Sequence, residues 1–260
     1  MKRFLRFDFA VTILIAFATM AFAEEAKVTG SASMGVFNRY IFRGYELNTN
    51  SVAIQPALSV SYSGFSVGFW GNIDSNETST QSFVPDRPDK KSFNETDITL
   101  SYTYPIGKLS LTGGYIYYGT KYAAETEELF AILAYDMLLK PTLSVYRDIT
   151  SFPGTYVNLA IAHSIGVGKD MTLDLGASAG YFAGDDDAFK TETGTGKKYR
   201  AFHDGMVKAG LSIPVLKNVT LQPIVQYWFP LSDKAERHGY NPNGHLDDTF
   251  VTGLNMTYNF

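Results

Sequence analysis

The sequence predicts an all-β chain that closes into an antiparallel transmembrane β-barrel of twelve strands, with short periplasmic turns and longer extracellular loops. Three observations carry this. Apolar and polar residues alternate with period 2 in segment after segment, connections alternate between short and long, and aromatic residues gather near strand ends. After residue 23 there is no run of about 18 apolar residues of the kind a membrane-spanning helix needs.

The N-terminus reads as an export signal. Lys2, Arg3 and Arg6 give a positive start, Ala10 to Ala18 is short and mostly apolar, and Ala21-Phe22-Ala23 is a small-x-small cleavage site, with Asp8 out of pattern. Residues 1–23 are thus expected to be a cleaved signal peptide, and 24–260 one outer-membrane barrel domain. The 260-residue chain carries a formal charge of −4, and losing three bases and one acid with the leader makes it more acidic. Nucleic-acid binding, which leans on basic patches, is a poor fit. There is no cysteine, so no disulfide stiffens the fold and a thiol nucleophile or zinc–thiolate site is excluded. Aromatics make up 15% of a chain that is only 45% hydrophobic, which suits a barrel with an oily outside, a polar inside and aromatic girdles.

The clearest strand is 52–62. Val52, Ile54, Pro56, Leu58, Val60 and Tyr62 share one face, and Ala53, Gln55, Ala57, Ser59 and Ser61 the other. After Ser63-Gly64, Phe65, Val67, Phe69, Gly71 and Ile73 face out, while Ser66, Gly68, Trp70, Asn72 and Asp74 face in. The same pattern gives strands near 28–43, 52–62, 65–74, 95–104, 109–118, 127–136, 141–150, 155–165, 171–182, 203–213, 219–229 and 248–260. Most are close to the ~9–11 residues of a tilted membrane strand, and the first is expected to rise beyond the bilayer. The even number puts both termini on the periplasmic side. Aromatics such as Tyr40, Phe42, Phe69, Trp70, Tyr115, Tyr117, Tyr227, Trp228 and Phe229 lie towards the long loops. Tyr62, Phe65, Tyr102, Tyr104, Tyr135 and Tyr258 lie towards the short turns. The final amphipathic strand, ending in Tyr258 and Phe260, resembles the recognition signal of the barrel assembly machinery.

Asn38-Arg39-Tyr40-Ile41-Phe42-Arg43-Gly44, Ile54-Gln55-Pro56, Gly68-Phe69-Trp70-Gly71-Asn72, Leu139-Lys140-Pro141-Thr142-Leu143-Ser144-Val145-Tyr146, Phe202-His203-Asp204-Gly205 and Leu211-Ser212-Ile213-Pro214 resemble, in this order, the TorF-type porins of the Gcw_chp family. The resemblance spans nearly the whole of 24–260. It implies an outer-membrane barrel with a pore role, and it fixes neither conduction nor a solute.

For a pore giving passive diffusion of small hydrophilic solutes, polar lumen groups must replace part of a solute's hydration. The inward faces offer Arg39 and Arg43 on the first strand, and Asp74, Glu95, Asp97, Asp148 and Asp204 near the loop-side ends. Lys208, Gln222, Gln226 and Asn255 lie deeper. The acids lean such a pore weakly towards cations. The same arginines can instead pair with these acids and plug the lumen, because small barrels fill their interiors with side chains. Catalysis has thin support: neither Gly-x-Ser-x-Gly nor His-Glu-x-x-His occurs. Of His163, His203, His238 and His245, only His203 beside Asp204 suggests a dyad, and strand neighbours point to opposite faces. Asp185-Asp186-Asp187 lacks the alternating ligands of a calcium loop. Arg147, on an otherwise oily face, suits a lipopolysaccharide phosphate at the rim. No metal or cofactor is expected. The expected partners are outer-membrane lipid and lipopolysaccharide, the Sec export and barrel assembly machinery, and the solutes.

Overall fold

The computed structural model describes residues 27–79, 81, 84–185, 192, 195–238 and 246–260. The leader, Asp186, Asp187 and His245 lie outside these. The strands are β1 (Thr29–Phe37), β2 (Ile41–Phe42), β3 (Tyr45–Glu46), β4 (Ala53–Tyr62), β5 (Phe65–Asp74), β6 (Ser92–Ile106) and β7 (Leu109–Thr120). They continue with β8 (Thr126–Tyr135), β9 (Thr142–Asp148), β10 (Gly154–Gly166), β11 (Thr172–Gly184), β12 (Arg200–Leu216), β13 (Val219–Pro230) and β14 (Thr249–Asn259). A short helix, α1 (Asp233–His238), follows β13. β1 and β4 to β14 form a closed barrel of twelve strands, each antiparallel to its neighbours.

The alternation decides which face goes where. Leu58, Val60, Phe65, Val67, Leu100, Leu129, Leu159, Val225 and Leu254 are exposed on the outside, an apolar surface that only a bilayer covers without penalty. Buried hydrophobics gather instead at the loop-side end of the lumen, as Tyr156, Phe182, Tyr199 and Ala201 in one cluster and Tyr45, Ala235 and Leu246 in another. The Ser63-Gly64 turn is a two-residue hairpin with φ of 51° and 85°. Positive φ at both positions matches the twist of paired strands. Side-chain volume is excluded at Gly64, where a Cβ would fall 2.7 Å from the Thr103 carbonyl oxygen.

The barrel closes between β1 and β14, in register from Ser31 opposite Asn259 to Phe37 opposite Gly253. The Phe260 amide donates to the Gly30 carbonyl at 2.9 Å and the Gly30 amide to that of Phe260 at 2.8 Å. The Phe260 ring fills the space where a Gly30 side chain would stand. Phe260→Ala is therefore expected to lower the yield of folded barrel several-fold, read as the heat-modifiable fraction on a semi-native gel. A yield equal to the parent would refute a role for this residue in closure.

The first strand departs from expectation. β1 ends at Phe37, and the chain then turns into the mouth of the barrel as the β2–β3 hairpin, with Ile41 opposite Glu46 and Phe42 opposite Tyr45. Arg39 and Arg43 thus belong to this inserted segment and not to a wall strand. Period-2 alternation continues through a hairpin as it does through a strand, so it cannot show where the chain folds back. The Arg43-Gly44 turn, with φ of 48° and 82°, is a less familiar signal than Asn-Gly or Asp-Gly.

Candidate functional site: a lumen crossed by a hairpin

The tip of the hairpin is anchored by Arg43. Its guanidinium donates from Nη1 and Nη2 to the two carboxylate oxygens of Glu128 on β8, at 2.8 and 2.7 Å. The same group lies 4.7, 4.9 and 4.6 Å from the ring centres of Phe42, Tyr146 and Tyr156. A bidentate fork and cation–π contacts are the two interactions for which Arg is best built. Tyr118 Oη donates to Glu128 at 2.9 Å, and Tyr156 Oη lies 3.0 Å from both Asp204 oxygens. Burial opposes the charge on Arg43, but Glu128 more than offsets it and raises its pKa, so the guanidinium stays protonated.

The stem is held by a second network. Arg39 pairs with Glu46, the Leu47 amide donates to the Tyr40 carbonyl at 2.8 Å, and the Tyr40 amide donates to Asn48 Oδ1. Asn48 Nδ2 donates in turn to Asp74, which also accepts from Asn94 at 2.6 Å. Asn72 donates to Asn94 at 2.8 Å and Gln55 to Asn72 at 3.2 Å. From the loop side, Tyr45 and Leu47 pack under Ala235 of α1 and Leu246. The hairpin is therefore clamped from the wall and from above.

The remaining sequence candidates separate. Glu95 lies beside the Tyr40 hydroxyl. Asp148 is used by the β9–β10 connection, accepting from Thr126 Oγ1 at 2.7 Å and from the Thr150 and Phe152 amides at 3.1 and 3.0 Å. A register shift between β11 and β12 at Ala179/Tyr181 turns both His203 and Asp204 inward, where each is fully buried. The expectation that they point to opposite faces fails because that rule assumes an unbroken ladder. They do not form a dyad: His203 Nδ1 pairs with Tyr199 Oη at 2.8 Å and Asp204 with Tyr156. Lys208 faces the lumen opposite Gln226 and is exposed there. Gln222 donates to Asp174 at 2.9 Å, and Ser164 and Ser212 donate to the same carboxylate at 2.6 Å each. Arg147 sits on the outer rim, paired with Asp185, with Arg200 3.7 Å from that carboxylate. Tyr258 and Phe260 stack outward, with ring centres 5.8 Å apart. Tyr40, Phe42, Trp70 and Trp228 line the lumen and are not part of the outer aromatic belt.

Glu128 and Asp174 are wall residues that the sequence argument missed. Glu128 was hidden because β8 is oily on both faces, with Leu129 and Leu133 outside and Phe130 and Ile132 inside, so no polar face marks the lumen side. Asp174 was readable, since it alternates with Leu173 and Leu175.

Among the described residues, cavities border the hairpin. One of about 130 Å³ opens on the loop side between Asp74, Glu95, Thr120 and Glu128. One of about 370 Å³ lies deeper, between Arg39, Tyr40, Trp70, Asp97, Tyr118 and Trp228.

A closed twelve-strand antiparallel barrel with an apolar exterior and polar groups lining its interior defines the class of outer-membrane β-barrels. Within that class, residues 22–187 match the family described as "Bacterial protein of unknown function (Gcw_chp)", and the chain belongs to that family. Several solved structures share the fold. The KdgM porin superposes with a TM-score of 0.54 at 12% identity, covering 88% of this chain and 99% of that one. The NanC porin gives 0.53 at 9% identity, covering 88% and 98%. The COG4313 outer membrane channel from Pseudomonas putida F1 gives 0.51 at 8% identity, covering 92% and 97%. No curated protein matches the chain in sequence.

Proposed function

We propose that this chain is a porin-type channel of the TorF kind, exported by Sec under the 1–23 leader and placed in the outer membrane by the barrel assembly machinery. It passes small hydrophilic solutes by passive diffusion, and the β2–β3 hairpin sets its width. The observation that carries the reading is Lys208. It points into the barrel yet is exposed, which supports a lumen below the hairpin that is open to water and not packed with side chains. The inward faces nearby are small and polar, as with Ser31 and Ser59, whose hydroxyls lie 2.9 Å apart. Lipid and lipopolysaccharide surround the wall, with Arg147 and Arg200 at the rim.

The charge balance gives the selectivity its sign. Arg39 and Arg43 are neutralised by Glu46 and Glu128. That leaves Lys208 against Asp74, Glu95, Asp97, Asp174 and Asp204 along the passage. In a planar bilayer with a tenfold KCl gradient, the protein is expected to show single-channel steps and a reversal potential of the sign for K⁺ over Cl⁻. Anion preference would refute this charge assignment. A folded barrel without steps would favour the second reading, a plugged structural barrel, to which the doubly clamped hairpin lends support.

A further inference from the structure

The deeper cavity has a composition that the pore role does not require. The cross-strand registers place Trp70 of β5 opposite Asp97 of β6, and Asp97 opposite Tyr118 of β7. Cross-strand neighbours on one face stand about 4.5–5.5 Å apart at Cβ, so the Asp97 carboxyl lies between two aromatic side chains. Tyr40 from the hairpin packs on Trp70 with ring centres 5.4 Å apart. Trp228 closes the far side, its Nε1 donating to Gln226 at 2.8 Å. Among the described residues, Asp97 Oδ1 is buried with no hydrogen-bond partner. The arginine at the cavity edge, Arg39, is already paired with Glu46. The cavity is therefore lined by a carboxyl with one unpartnered oxygen and by several aromatic rings, whose quadrupoles also favour positive charge. Its volume of about 370 Å³ is within the ~300–1,000 Å³ typical of small-molecule sites.

We propose that this cavity binds a compact organic cation carrying a substituted ammonium group, with Asp97 as counter-ion and Trp70, Tyr118, Tyr40 and Trp228 as the surrounding rings. A bare metal ion would gain little from the rings, and an anion would meet Asp97. A neutral solute would leave the carboxyl unmatched. The site deepens the channel reading, which supplies its access from water, but its occupancy is measured without conduction.

The chain holds two tryptophans, Trp70 and Trp228, and both line this cavity, so intrinsic fluorescence of the refolded full-length barrel in detergent reports on it directly. Titration with tetramethylammonium chloride is expected to give a saturable change, absent with KCl at equal ionic strength and absent with tert-butanol, a neutral solute of similar shape. Asp97→Asn should weaken the apparent affinity about tenfold or more. If that variant does not fold, Trp70→Leu, read through Trp228, should weaken binding in the same direction. A change that does not saturate, that KCl or tert-butanol reproduces, or that survives both substitutions unaltered would overturn the proposal. Saturable binding by a barrel silent in bilayers would retain the site and reject the channel. Conduction without saturable binding would do the reverse.

Discussion

Replacing Arg43 with alanine is expected to widen the lumen and raise single-channel conductance several-fold, the largest functional effect of any single substitution in this chain. Arg43 makes the charged tether between the hairpin tip and the wall, through Glu128 and the rings of Tyr146 and Tyr156. Its loss leaves the Glu128 carboxylate nearly buried, at 5% side-chain exposure, with the Tyr118 hydroxyl still donating to it. Breaking a buried ion pair from one side costs about 3–5 kcal/mol. The clamped hairpin relieves that cost by moving aside and admitting water. The double change Arg43→Ala, Glu128→Ala removes the stranded charge and should recover part of the stability lost in the single variant, measured by denaturant unfolding in detergent. It should keep the raised conductance, because the tether is still absent. Unchanged conductance in a folded Arg43→Ala barrel would mean that the hairpin does not set the width. Glu128→Gln, which still accepts one hydrogen bond from Arg43, should fall between parent and alanine variant.

The wall of this protein was legible in its sequence and the interior was not, for a physical reason. A strand between lipid and water must alternate, and β4, β5 and β14 display the alternation residue by residue. Apart from the first strand, which ends at Phe37 and not near residue 43, strand ends moved by up to three residues, as where β6 begins at Ser92 and not near Glu95, because ladders run on into loops where lipid no longer enforces the pattern. The inserted hairpin obeys no such constraint: Ile41, Phe42 and Tyr45 are buried or half-buried within protein, and their pattern looks the same as that of a wall strand. The acids near the rim were found, but their partners were not, since pairing across a lumen depends on the closed geometry and not on sequence spacing. Arg43 with Glu128 joins residues 85 positions apart. Asp148 lines the loop-side cavity, while its oxygens are taken up in organising the Thr150–Phe152 turn, a partnership that spacing did not reveal.

Gly44→Val should open the same lumen by a different route, with no change of charge. Two constraints meet at Gly44. Its φ of 82° is in the left-handed region, which β-branched side chains rarely tolerate. A Cβ there would stand 2.9 Å from Asp204 Cβ on β12 and 3.0 Å from Leu246 Cδ1, so these neighbours must shift to admit it. Strain of this kind costs about 1–3 kcal/mol at one residue, and the valine methyls add a clash against the β12 bulge. The barrel, closed by twelve ladders, has far more to lose than the two-residue β2–β3 ladder, so the hairpin moves. Conductance should rise in Gly44→Val as in Arg43→Ala. The selectivities should differ: Arg43→Ala strips one positive charge from the passage and strengthens the preference for K⁺, whereas Gly44→Val frees Arg43 from Glu128 into the lumen and weakens it. Opposite shifts of reversal potential at similarly raised conductance would tie both effects to the hairpin. Matching shifts would place the selectivity elsewhere, on Asp97, Lys208 and the deeper wall.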